Sequence, residues 1–225
     1  MPLNYAYVLV CPASEFSRTM EALAAFLSPE DREWLLASRP WAPAFTYTHH
    51  GQSEPYQRHG LIGPGSVPRA GRGLDYFTSG ESFAFRFDRR SDPVLAAYDD
   101  EQNGPGGPPL VRAFADVGVV SVSIDVGQQY MVVDATAVTS AMSRLFESST
   151  SIQAAWITMA QASRASGLFL DREAQDWEQL FPSRRMVEKP NEDAYVLADG
   201  IVPHVDLYCR AVLGLAGLLP TEQTT

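Results

Sequence analysis

VGVVSVSIDVGQQYMVV, residues 117–133, is the stretch whose reading decides the fold. Val120, Val122, Ile124 and Val126 fall on one face of an extended chain. Gly127-Gln128 is a turn signal, and Tyr130 to Val133 is apolar again, so the stretch predicts a β-hairpin. Two helical patterns follow with no strand between them. The first carries Val138, Ala141, Met142, Leu145 and Phe146. The second starts at Thr150 with Gln153 three residues on, a capping-box spacing, and carries Ile152, Ala155, Trp156 and Met159. A hairpin followed by a helix pair breaks strict strand–helix alternation and points to an α+β fold.

Toward the N-terminus, Ser82 to Asp88 alternates sharply, with Phe83, Phe85 and Phe87 on one parity. Ala44 to His49 alternates as well. Tyr5 to Val10 is apolar on both parities, the pattern of a strand buried on two faces. Ser14 is placed to cap a helix bearing Phe16, Met20, Leu23 and Leu27. Ser28-Pro29-Glu30-Asp31 reads as a second helix start: serine at the N-cap, proline at the first position, acids in the first turn.

Toward the C-terminus, Leu168 to Leu170 predicts a short strand. Asp171 then suits the cap of a helix holding Trp177 and Leu180 and stopped by Pro182. Tyr195 to Leu197 predicts another strand. A final helix starts near Pro203 and spaces Val205, Tyr208, Cys209, Val212, Leu213 and Ala216 helically. The whole predicts one domain over 1–225: a mixed, mainly antiparallel sheet of about 5–7 strands flanked by about six helices. A breaker-rich stretch, DDEQNGPGGPP at 99–109, marks an exposed tip or a subdivision of that domain.

At 225 residues the chain can bury a sizeable core. Its formal charge is −10, from 27 acids against 17 Lys and Arg. A surface that acidic repels phosphate backbones, which argues against nucleic acid and favours basic partners. Lys189 is the single lysine, so the basic residues are nearly all arginine; this usage suggests a GC-rich, bacterial coding sequence. Two cysteines are too few for a secreted disulfide scaffold. Neither the apolar run near the N-terminus nor Ala211 to Leu219 has the length of a secretory core or a membrane span. The expectation is a cytoplasmic protein that does not engage a membrane, with no cofactor and no metal.

The chemistry-bearing residues concentrate between Thr48 and Asp75, read as one long loop. It holds His49, His50, His59, Arg58, Arg69 and Arg72 among glycines and prolines. Loops this long inside a domain are usually functional or disordered. The histidines lack the spacing of a metal site such as HExxH, and hydrogen bonds from loop histidines to turn backbone are the plain alternative. The glycines lack the GK[ST] of a phosphate loop. His204 and Asp206 open the last helix, where Asp206 suits the helix N-terminus and an i,i+4 pair with Arg210.

Cys11-Pro12-Ala13-Ser14 joins a buried strand to a helix start, where the helix dipole lowers a thiol pKa. The CPxS spacing resembles the active-site motif of monothiol, glutaredoxin-like proteins over about 25 residues. That resemblance implies a nucleophilic Cys11. It ends where this chain continues into a second helix instead of returning to a strand.

Three function classes remain. The first is a non-enzymatic, cytoplasmic binding protein that docks on another, basic protein, as an inhibitor or immunity protein does. Arg58, His59, Arg69, Arg72, Asp99, Asp100 and Glu101 are its candidate contacts, and its oligomeric state is open. The second is an enzyme acting on a small anionic substrate with His50 or His59 in the 48–75 loop. The third is a thiol protein using Cys11.

Overall fold

A computed structural model describes residues 3–37, 45–47, 56–58, 81–103, 113–126, 129–174, 176–190 and 205–219. The strands are β1 (Ala6–Pro12), β2 (Phe45–Tyr47), β3 (Tyr56–Arg58), β4 (Glu81–Asp88), β5 (Phe114–Val126), β6 (Tyr130–Ala137), β7 (Gly167–Asp171), β8 (Asp176–Phe181) and β9 (Arg185–Glu188). The helices are α1 (Phe16–Ala24), α2 (Pro29–Ala37), α3 (Pro93–Asn103), α4 (Ser140–Ser148), α5 (Thr150–Ala162) and α6 (Val205–Leu215), and a 3-10 turn at Ala13–Glu15 precedes α1.

The class is α+β, as the hairpin and the helix pair after it require. The nine strands found among the described residues join one sheet, in the order β2-β3-β5-β6-β1-β7-β8-β9, with β4 also paired to β5. Every pairing among the described residues is antiparallel, where the sequence predicts a mixed sheet, and the strands slightly exceed the expected number. The hairpin stands as read, with Val126 opposite Met131 and Val120 opposite Ala137. β5 is long enough to be shared on its other edge by β4 and β3. Opposite β4, Ala84 pairs with Val119 and Phe85 with Val117, so Gly118 is the extra residue of a bulge.

β1 lies mid-sheet between β6 and β7, and both its parities are buried. Tyr7, Leu9 and Cys11 enter a large core with Phe83, Phe85, Val120, Val122, Ile124 and side chains from α1 to α5. Val8 and Val10 face the other way, into a smaller core with Val132, Phe169, Trp177 and the buried side of α6. Within the large core Trp156 stacks on Tyr7 and Phe85, at centroid distances of 4.9 and 5.7 Å. The Tyr7 hydroxyl donates to the Phe146 carbonyl at 2.7 Å.

Several local readings are corrected. The segment after Asp171 is a strand, β8, not a helix. Trp177 is buried against Phe169 and Tyr208 in the smaller core, and β8 is paired on both sides. Asp171 turns the chain instead, its Oδ1 accepting from the Glu173 amide at 2.7 Å. Ser14 lies inside the 3-10 turn and does not cap α1, whose N-cap position is Glu15 with no side-chain capping bond. The cap of α5 is Ser149, which accepts from the Ile152 amide, while Gln153 donates to the Glu147 carbonyl. Ser28 accepts from the Asp31 amide at 3.3 Å, as its position before Pro29 predicts.

Asp99 to Asn103 complete α3 and are not loop; 104–109 lie outside the described residues, as do 195–197. β4 and β5, on either side of that stretch, are neighbours in the sheet. The 48–75 stretch is not uniformly loop either, since β3 lies within it. Among the described residues no helix is long and apolar enough to cross a membrane.

Candidate functional site

The residues that build a concave site come from the sheet edge at β4. The chain between α1 and α2 runs along that edge as a short extra pairing. The Ser28 amide donates to the Ala84 carbonyl and the Arg86 amide to the Phe26 carbonyl, each at 2.8 Å. Asp31, in the first turn of α2, accepts from the Ala84 amide at 2.7 Å. These bonds fix α2 against β4. They follow from the Ser28-Pro29 helix start, which ends the extended connector.

Because Phe83, Phe85 and Phe87 point into the core, Arg86 points out. Its guanidinium carbon lies 5.1 Å from the centroid of the Phe114 ring, which is 45% exposed. Stacking on a ring both attracts a guanidinium and limits its rotation. Here the surface forms a cleft of about 670 Å³. Ala25, Leu27, Leu36 and Phe114 supply apolar lining; Arg32 and Glu33 of α2 and Arg86 of β4 supply charge.

A second pattern concerns which carboxylates turn inward. Asp92 is buried and accepts from the Val94 and Leu95 amides at the start of α3, each at 3.0 Å. It also accepts from the Ser149 hydroxyl at 2.7 Å and the Ser151 amide at 2.8 Å, at the start of α5. Burial raises its pKa, but the hydrogen bonds from Leu95, Ser151 and Ser149 outweigh that and hold it below the ordinary value. Asp99 is buried and ion-paired with Arg89. Glu178 is buried between Arg172 and Arg184. Asp206 accepts from the Gln129 and Tyr130 amides at 3.0 Å. Arg210 donates to Gln129 Oε1 at 2.7 Å, so both residues tie α6 to the hairpin turn. The exposed acids include Glu30, Glu33, Glu101, Glu173, Asp176 and Glu188. Asp176 and Glu188 are registered directly opposite each other in β8 and β9.

Of the residues singled out from sequence, Cys11, Arg58, Asp99, Asp100, Glu101 and Asp206 are described, and they fall on separate elements apart from the three acids of α3. Asp99, Asp100 and Glu101 share α3, but only Glu101 lacks a part in the Arg89 cluster, where Asp100 lies 3.0 Å from Arg89 Nη2. Asp99 is therefore a structural acid. Arg58 ends β3, registered with Phe45 on one side and Asp125 on the other. His49, His50, His59, Arg69, Arg72 and His204 lie outside the described residues.

Cys11 is fully buried, and its Sγ donates to Ser163 Oγ at 3.7 Å. Burial pushes the thiol up to about 11, against the hydrogen bonds that lower it. The helix-dipole expectation fails because Cys11 is the sixth residue of a core strand and a 3-10 turn intervenes before α1. A thiol so placed is protonated at neutral pH and out of reach of substrate. Among the described residues no group of three His, Cys, Asp or Glu side chains is arranged to hold a metal ion.

Sequence reasoning missed Arg32, Glu33, Arg86 and Phe114. The outward parity of Arg86 among three phenylalanines was a readable signal. The approach of α2 was not, because it depends on hydrogen bonds between residues about fifty positions apart, such as Asp31 to Ala84. No protein-family model, no curated protein and no solved structure matches this chain.

Proposed function

We propose that this protein is a non-enzymatic binding protein that docks on another, basic protein, as an inhibitor or immunity protein does. The observation that carries this reading is the sorting of charge. Four buried acids (Asp92, Asp99, Glu178 and Asp206) are matched inside the fold, and three of the arginines, Arg89, Arg172 and Arg184, are used in doing so. Exposed acids are left to shape the field of a chain with a formal charge of −10. Such a field accelerates encounter with a positive partner and rejects negative ones. A bacterial cytoplasm is the compartment that suits two buried cysteines that form no disulfide.

The test is affinity purification of the natural partner followed by association kinetics at rising salt. The expected partner carries excess Lys and Arg, and association slows by about tenfold or more from low to physiological salt. Charge reversal at Glu101→Lys and Glu188→Lys lowers the association rate and leaves dissociation nearly unchanged. A partner of net negative charge, or association indifferent to salt, overturns the reading.

A further inference from the structure

We propose that the outer margin of the β8–β9 hairpin takes an extended segment rich in Lys and Arg, donated by the docking partner, as an added strand. This rests on the reading of the partner as a basic protein and names the surface that it uses. Among the described residues β9 ends the sheet, paired to β8 on one side only. The unpaired side of such a strand presents backbone donors and acceptors to another chain. The outer edge of β4, by contrast, is closed by the backbone bonds from Ser28 to Ala84 and from Arg86 to Phe26. Strand addition draws affinity from the main chain and selectivity from alternate side chains. Val187 anchors β9 in the smaller core, while Arg185, Met186 and Glu188 stay exposed. The edge is therefore held in place before a partner arrives, which reduces the entropy lost on docking.

The side chains on this margin select the charge of the segment. Asp176 and Glu188 face each other across the two strands, both exposed, and like charges so placed repel. Neither forms an ion pair or a side-chain hydrogen bond with a described residue. The neighbouring cations are engaged elsewhere: Arg172 with Glu178 and Glu147, Arg184 with Glu178, Lys189 with Asp171 and Arg185 with Gln179. On the face that Asp176, Glu178, Met186 and Glu188 share, the carboxylates, with Glu147 of α4, outnumber Arg172 and Arg184, so this face is negative. A Lys or Arg set between Asp176 and Glu188 turns their repulsion into attraction on both sides. Met186 is 55% exposed and registered opposite Glu178, so it adds an apolar, adaptable contact beside the charges.

The experiment titrates the full chain with the peptide Ac-Lys-Val-Arg-Val-Lys-Val-amide, followed by calorimetry and hydrogen exchange. The peptide binds and slows exchange of β9 amides by about tenfold. Replacing its valines with prolines keeps the charge, removes the strand donors and weakens binding by at least about tenfold. Asp176→Asn and Glu188→Gln each weaken the peptide a few-fold, yet each raises the melting temperature of the free protein, because the like-charge pair is gone. That rise keeps the test decisive, since misfolding cannot produce it. Equal binding of the proline peptide, protection away from β9, or a lower melting temperature in both variants overturns the proposal. With the purified natural partner, Met186→Ala, Asp176→Asn and Glu188→Gln each weaken the complex several-fold. Unchanged affinity in all three overturns this surface and leaves the basic-partner reading standing, whereas a partner of net negative charge overturns both.

Discussion

The two faces of the sheet are covered by different means. On one face α1 to α5 pack over β1, β4, β5, β6 and β7 and build a continuous core. On the other, α6 is the helix among the described residues that covers β6, β1, β7, β8 and β9. Beyond its reach the same face carries Ala84, Ser121, Asp134 and Thr136, all half-buried, with Arg86 and Phe114 exposed. Strand composition follows this coverage. β1 is apolar at every position because helices press on both its faces. β4 alternates because only its phenylalanine face is packed. An uneven cover leaves a polar margin on the second face, and the cleft opens there.

The largest expected effect is in the first core. Trp156→Ala removes the ring that joins Tyr7 to Phe85 and lowers stability by about 3–5 kcal/mol, read from chemical denaturation. Leu213→Ala on the buried side of α6 costs less, about 2–3 kcal/mol, because the smaller core relaxes more easily. Hydrogen exchange then separates the faces: amides of α6 lose protection while those of α5 keep it. Equal loss in both helices would show that the two cores unfold as one unit.

Asp92 couples α3 to α5 on the first face, and Asp92→Ala removes a cap from both helices at about 1 kcal/mol each. The folded pKa of Asp92 is depressed from 3.8, so its contribution is fully present above that value. It is lost as pH falls through the lower, folded value. Acid titration of unfolding free energy is therefore flatter below pH 3.8 in the variant than in the parent.

The smallest effect compares how the principal helix of each face ends. α6 is followed by Gly217 at φ 57°, with the Leu218 amide donating to the Leu213 carbonyl at 2.7 Å. α5 is followed by Arg164 at φ 54°, with the Ala165 amide donating to the Ala160 carbonyl at 2.8 Å. Both use the left-handed closure that glycine favours. Arg164→Gly raises the melting temperature by an amount equivalent to about 0.5 kcal/mol, since the exposed Arg164–Glu15 pair it loses is weak. Gly217→Ala lowers stability by about 1 kcal/mol. A loss for Arg164→Gly would mean that the ion pair outweighs the backbone strain.

Much of this architecture is legible in the chain because burial imposes a period. Apolar patterning determined these elements: a short unbroken run marked β1, and a period marked β4, the β5–β6 hairpin, the two helices after it and α6. The candidate site was far less legible. The histidine and arginine loop drew attention by composition. The cleft instead depends on Arg86 meeting Phe114 and on α2 being held at the β4 edge, contacts between residues distant in sequence. Only the tertiary structure decided that 176–181 is a strand: Trp177 and Leu180 have helical spacing, but pairing with β7 and β9 outweighs it and buries Trp177 beneath α6 and Leu180 in the larger core on the other face. Only it decided which carboxylates turn inward. Asp99 and Asp100 are adjacent in the chain, and the position of Arg89 makes one a buried structural acid and leaves the other at the surface. Local sequence sets which backbone conformations and which faces are favoured; where a charge ends up depends on what the fold brings beside it.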